Sequence, residues 1–386
     1  MTIDIILLNV TCVSFFLLAF IAFFNPLKVN VIANRWFALF MFAAGSAVLD
    51  VIVNKVGVMH QYRQLVAFNE LSRFAMMPAL YLSVLHYTSP EKVFRKREYL
   101  HLLPFFIFFI CAVSFVIAPR QLLFNPDAIP TAFKMAIEFI VKLFIPAQLI
   151  VYWFLSYRKL IRHQRSIQLI TSNTTPVNLN WLRLLLFGVL VMIVINLIDR
   201  LYANEVGREY APVGYLVSIL FVAYNFIGQK EIYPYEVPDL ESIKAVIDPA
   251  KKSEQVRSRF TEEKLAELKL RLIRLMENDR LFLDSEIGLP ELAREMNVSP
   301  HDLSYLLNDG FGVNFSQFIN SYRIKEAKQL MLSGKYRHLN ILGIAYNAGF
   351  NSKTTFNTTF KKETGLSPSE FIKQAQVNAH TAVTIN

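Results

Sequence analysis

Apolar residues run almost unbroken through the first 229 positions and recur at helical spacing through the last 150 or so. Seven runs, at about 4–24, 36–54, 66–87, 99–118, 133–156, 181–202 and 210–228, have the length and apolarity of bilayer-spanning helices. Pro, Asn, Arg and Lys gather between them, as aqueous turns require. After Gly228 the pattern changes. Pro234, Pro238 and Pro249 forbid one long helix and mark a linker. From Thr261, an N-cap residue followed by Glu262 and Glu263, the residues Leu265, Leu268, Leu272 and Leu275 predict an amphipathic helix over 261–278.

The pattern beyond is finer. "LPELAREMNVSPHDLSYLLND" predicts a short helix Pro290–Met296, a turn at Asn297-Val298, and a second helix capped by Ser299 with Pro300 at its first position. Two short helices joined by a tight turn form a helix-turn-helix. An amphipathic helix follows, with Phe318, Ile319, Tyr322, Ile324, Ala327, Leu330 and Met331 on its apolar stripe and Gly334 as its stop. The first pattern then returns: "ILGIAYNAGFNS" gives a helix, a turn at Gly349, and Ser352 as cap of a helix Lys353–Thr364. The joining helix spans roughly 27 Å at its rise per residue, near the ~34 Å between successive major-groove faces of a duplex.

Composition supports two solvents for one chain. The 386 residues are 54% hydrophobic and 18% charged, with net charge +10, against about 25% charged in soluble domains. The reading is all-α: a seven-transmembrane-helix bundle at 1–229, a linker and candidate dimerisation helix at 230–278, a two-unit DNA-binding domain at 279–377, and a tail at 378–386. Loops after runs one, three and five carry ten Lys and Arg residues against five in the others. By the positive-inside rule the N-terminus faces outward and the tail lies in the cytoplasm of a bacterial inner membrane. The first run has only Asp4 before it and no small-residue cleavage site, so it is expected to stay as a span. Cys12 and Cys111 fall inside runs and are read as small apolar side chains, with no disulfide, metal or cofactor.

Ile344-Ala345, Gly349-Phe350, Ser352, Phe356, Phe360-Lys361, Gly365, Pro368 and Phe371, with Leu292-Ala293, Ser299, Leu303, Leu306, Phe315 and Arg323–Ala327 before them, resemble the signature of the AraC-type bacterial transcription regulators. The resemblance covers about 100 residues, a quarter of the chain. It implies a seven-helix domain whose two units read adjacent major grooves of double-stranded DNA. Phe356 and Phe360, four apart, must face the core, which leaves Ser352, Lys353, Thr354, Asn357, Thr358, Lys361 and Lys362 as DNA-contact candidates of the second unit. In the first unit the candidates are Ser299, Pro300, His301, Ser304 and Tyr305. Related proteins often carry Arg where this chain has Thr358, and Lys where it has Asn308-Asp309. Residues 281–320 hold one arginine against six acids, a net −5, whereas 321–386 hold nine basic residues against three acids, a net +6. Phosphate attraction therefore belongs mainly to the second unit. The leucine helix is read either as a homodimer seam or as a helix packed on the domain, since two heptads fall short of a coiled coil.

Within the runs the ionisable residues gather toward the outer side: Asp50, Glu70, Arg73, Glu138, Lys142, Asp199 and Arg200. Glu70 with Arg73, and Glu138 with Lys142, have spacings that place each pair on one helix face. They are read as internal ion pairs or as a pocket for a signal ligand open to the outside. The chain has no H-E-x-x-H, no Gly-rich phosphate loop and no broken-helix repeat, and so no catalytic residue is assigned. The expectation is a membrane-tethered transcription regulator that couples a membrane or extracytoplasmic signal to promoter binding. Its rivals are a DNA-binding protein that is merely anchored, and a seven-span transporter or enzyme with a regulatory tail.

Overall fold

The computed structural model describes residues 3–26, 28–57, 63–90, 95–117, 131–174, 177–202, 206–233, 237–247, 260–333 and 340–375. Among them the regular elements are all helices, apart from one isolated antiparallel bridge between Thr171 and Gly288. It divides into two compact units. One holds Met1–Ile161 and Leu179–Ile232; the other holds Arg162–Asn178 and Tyr233–Asn386.

The first unit contains α1 (Ile3–Phe24), α2 (Val31–Val56), α3 (Arg63–Tyr87), a 3-10 turn (Lys96–Leu102), α4 (Leu103–Ile117), α5 (Thr131–Ser166, whose last turn belongs to the other unit), α6 (Asn180–Tyr202) and α7 (Val206–Ile227). Each of the seven apolar runs thus coincides with a helix. Two of these, α1 and α2, are long and apolar enough to cross a membrane, judged over the described residues. Successive helices pack on one another from α1 to α4, and α7 closes on α1. Gly45 lets α1 and α2 approach: a Cβ there would stand 3.1 Å from Phe15 Cβ. The ring of Phe37 meets Trp181 and Phe226, each at 5.7 Å, which joins α2, α6 and α7. At one end the Tyr87 hydroxyl donates to Asn34 Oδ1, and Gln229 Nε2 donates to the same oxygen at 3.1 Å. The opposite surface of α1 is greasy, with Val13, Leu17, Phe20 and Phe24 exposed.

Of the outer charge cluster, the side chains of Asp50 and Arg73 are described, and they pair. Arg73 Nη2 lies 2.6 Å from Asp50 Oδ2, across α2 and α3, with Asp50 8% exposed. The pairing thus includes a bond between helices, where spacing along one helix had pointed to Glu70. The side chains of Glu70, Glu138, Lys142, Asp199 and Arg200 lie outside the described residues, as does Gly334, and α12 (Phe315–Leu332) is capped by Ser333.

The second unit includes a stretch that hydropathy alone treats as a loop. Arg162–Asn178 folds with the tail. Leu289 N donates to Ile170 O at 2.8 Å beside the Thr171–Gly288 bridge, and Ile167 and Ile170 are buried. His163, seven residues past the apolar run in α5, is 3% exposed. Its Nε2 donates to Val177 O at 2.9 Å, so Nδ1 is left to accept from the Tyr233 hydroxyl at 3.1 Å. The leucine helix α9 (Glu262–Glu277) has its Thr261 cap accepting from Lys264 N, and buries Leu268, Leu272 and Met276 within this unit. Leu270 is exposed.

Burial lowers the His163 pKa from 6.5 to about 4, partly offset by the Val177 carbonyl. The unfolded chain therefore takes up a proton below about pH 6.5 that the folded chain refuses until near pH 4. Stability of this joint is full above the higher value and falls with pH through that window. Between pH 7 and pH 5 the loss is expected to be on the order of 2 kcal/mol. Amide exchange of 162–178 in the full chain, corrected for intrinsic rates, should show protection declining over that range, and His163→Gln should abolish the pH dependence.

Candidate nucleic-acid interface

The tail builds its interface from short helices whose ends are closed by side chains. In the first helix-turn-helix, α10 (Leu289–Glu295) begins where Glu291 Oε2 accepts from Gly288 N at 3.1 Å. Asn297, at φ 49, makes the turn. Ser299 then caps α11 (Pro300–Tyr305), its hydroxyl accepting from Asp302 N at 3.1 Å. Leu303 is the core contact of this helix. The strut α12 opens on Asn314, whose side chain accepts from Gln317 N at 2.9 Å. In the second helix-turn-helix, Asn340 caps α13 (Ile341–Asn347) and Ser352 caps α14 (Lys353–Thr364), accepting from Thr355 N at 3.3 Å. A last helix covers 368–375.

Two buried features lock the units together. Arg323 on α12 is 1% exposed. Its Nε donates to Phe282 O and its Nη2 to Asp284 O, both at 2.7 Å, and its guanidinium lies 5.7 Å from the Phe350 ring centre. Burial brings its pKa down to about 10, with the Asp284 and Glu286 carboxylates resisting the fall, so it stays charged at neutral pH. Gly349 sits beside it at φ 89, where a Cβ would stand 2.6 Å from Phe282 O. From Phe350 a chain of edge-to-face contacts at 5.2 to 5.5 Å runs through Phe356 and Phe360 to Phe371.

With Phe356 and Phe360 fully buried, the opposite side of α14 is fixed. Lys353, Thr354, Thr358, Lys361 and Lys362 are exposed, while Ser352 and Asn357 are half-buried. These residues form one polar, basic face. The first unit differs. Ser299 is exposed, but Pro300, His301, Ser304 and Tyr305 are half-buried, and Tyr305 donates its hydroxyl to Asp309 Oδ2 at 3.0 Å. Helix α8 (Val237–Ile247), from the proline-marked linker, packs against α11. Sequence reasoning missed that helix as part of the site because the prolines concealed it; the apolar spacing of Leu240, Ile243 and Ile247 was the available signal.

A family model described as "Helix-turn-helix domain" matches residues 292–374. The arabinose operon regulatory protein of Escherichia coli (strain K12) is 33% identical over 88 residues, 23% of this chain and 29% of that protein. The HTH-type transcriptional activator RhaS of Mannheimia succiniciproducens is 31% identical over 99 residues, 26% of this chain and 35% of that one. The TCP pilus virulence regulatory protein of Vibrio cholerae is 41% identical over 61 residues, 16% of this chain and 21% of that one. The chain thus spans about a third or less of the length of these curated relatives. No solved structure matches it. The C-terminal region thus carries a helix-turn-helix domain similar to parts of these regulators.

Gly349 offers a direct test of the lock. Gly349→Ala is expected to cost at least about 2 kcal/mol, from left-handed backbone strain plus a clash with a carbonyl that cannot yield cheaply. Gly312 has a similar φ of 70 but open space around its Cα, so Gly312→Ala should cost only the strain, about 1 kcal/mol. Amide exchange across α12 and α14 in the full chain measures both.

Proposed function

We propose that this chain is a membrane-tethered transcription regulator: its tail binds promoter DNA sequence-specifically, and its apolar half receives a membrane or extracytoplasmic signal. The observation that carries the DNA part is the open face of α14, where lysines and hydrogen-bonding side chains stand over a sealed phenylalanine core. Lysines neutralise phosphate and give affinity without sequence preference; Asn357 and the threonines suit base edges. The membrane part is supported by two helices long and apolar enough to span, by the greasy outer surface of α1, and by the excess of Lys and Arg in alternate loops. The Asp50–Arg73 pair favours structural ion pairing over an open ligand pocket at that point. On this reading the protein is not an enzyme, and residues 279–377 are its DNA-binding domain.

Two measurements test it. Replacing Lys361 and Lys362 with Ala should weaken binding to all duplexes alike and shallow the salt slope by ~0.9 for each phosphate no longer neutralised. Asn357→Ala should cost about 1–3 kcal/mol on the preferred site alone; equal losses on preferred and random DNA remove Asn357 as a reader. For the membrane half, a reporter fused after Gln229 should report the cytoplasm and one fused before Ile3 the outside. The same compartment at both ends overturns the seven-span topology.

A further inference from the structure

The two recognition helices differ in what covers them. On α14 most residues that face away from the core are bare: Lys353, Thr354, Thr358, Lys361 and Lys362 are exposed, and Ser352 and Asn357 are half-buried. On α11 the corresponding surface is not bare. Pro300, His301 and Tyr305, at the positions that match the exposed Lys353, Thr354 and Thr358, are half-buried although Leu303, not they, serves the core. The cover comes from the linker. Helix α8 packs along α11, Arg294 of α10 pairs with Asp239 of α8 at 3.6 Å, and the Phe260 ring stands 6.0 Å from that of Tyr305. Ile243, fully buried, anchors α8.

We infer that α8 is an autoinhibitory helix, which masks the first recognition helix and leaves the second unit alone open to DNA. The inference rests on the DNA-binding reading above. Its physical basis is width. The major groove is about 12 Å across, and a single α-helix with its side chains is about 10–12 Å in diameter. One helix fits, and two packed side by side do not. Charge acts in the same direction. With Asp239 and Glu241 against Lys244, α8 adds a net −1 to a region already at net −5 over 281–320, which repels phosphate.

The mask is also placed where it can be moved. Tyr233, four residues before α8, is buried and held by His163 at the end of α5. The same unit holds the other end of that loop, where Leu289 N at the start of α10 bonds Ile170 O. A shift of α5 or of the chain leaving α7 therefore acts on α8 and α10 together. Removing the mask turns a one-unit binder into a two-unit binder without altering any DNA-contacting side chain.

The test uses the full chain in detergent and a duplex selected by that chain from a random-sequence pool. Two independent variants loosen the mask: Ile243→Ala removes its buried anchor, and Asp239→Lys sets like charges against Arg294. Neither residue belongs to the DNA-contact set. Each is expected to bind the duplex tenfold or more tightly, to steepen the salt slope, and to lengthen the nuclease footprint by about ten base pairs, one helical turn. Amide exchange over 237–247 reports whether the mask has loosened. A loosened α8 with unchanged footprint and affinity overturns the inference while leaving DNA binding intact. If the parent and both variants bind no duplex from the pool, the DNA-binding reading fails and the inference falls with it. A variant that unfolds the domain loses protection across α12 and α14, and the other variant then decides.

Discussion

A charged side chain buried in the middle of the helix-turn-helix unit fixes its geometry. Arg323 has left water almost completely, and a guanidinium can do so only where acceptors replace its hydration. Two backbone carbonyls, from Phe282 and Asp284, meet that demand, and the face of Phe350 covers the rest. The segment before the first helix-turn-helix is thereby tied to the turn of the second. Gly349 completes the arrangement by omission, since the Phe282 carbonyl occupies the place of its missing Cβ. The spacing of the two recognition helices depends on this contact as much as on the length of α12.

Around that shared frame the two units diverge in chemistry. Acidic residues of the first unit are engaged locally: Glu291 accepts from Gly288 N, Asp302 accepts from the Ser299 hydroxyl, and Asp309 accepts from Tyr305. Glu291 and Asp302 sit in first turns, where a carboxylate agrees with the helix dipole, and Asp309 is engaged by the Tyr305 hydroxyl. The second unit does the opposite. Lys353 stands at the first position of α14, where a positive charge opposes the dipole by a few tenths of a kcal/mol. A local rule broken at an exposed position, with nothing in the fold to gain from it, is what the proposed DNA contact would explain. An arriving phosphate would turn that unfavourable charge into a favourable one.

Much of this was legible in the sequence because it is local. The caps Thr261, Ser299 and Ser352, the turn glycine Gly349, and the spacing of Phe356 and Phe360 all appear in the structure in the roles their chemistry predicts. What the sequence hid is non-local. Spacing along α3 offers Arg73 a partner on its own helix, yet the described carboxylate beside it is Asp50 on α2. Hydropathy treats Arg162–Asn178 as a connection, yet it folds with the tail through His163, Ile167 and Ile170. The leucine stripe of α9 has the spacing of a dimer seam, but its central residues are buried within their own unit. Periodicity identifies a face that must be covered; it does not say by what.

The inserted segment changes the connectivity argument for signalling. A tail joined by one proline-marked linker would move freely however its neighbour rearranged. Here the chain passes between the two units at Ile161–Arg162, at Asn178–Leu179 and at Ile232–Tyr233. The helical end of α5 provides the first of these passages, and a helix transmits displacement where a coil absorbs it. His163 then joins the first and third passages through one neutral imidazole, with a carbonyl on one nitrogen and a phenol on the other. A ligand shifts such a system only by its difference in affinity between two states. On the proposed signalling role, the two states would differ in how these passages are held, and the segments they enter are those that contact α10 and precede α8.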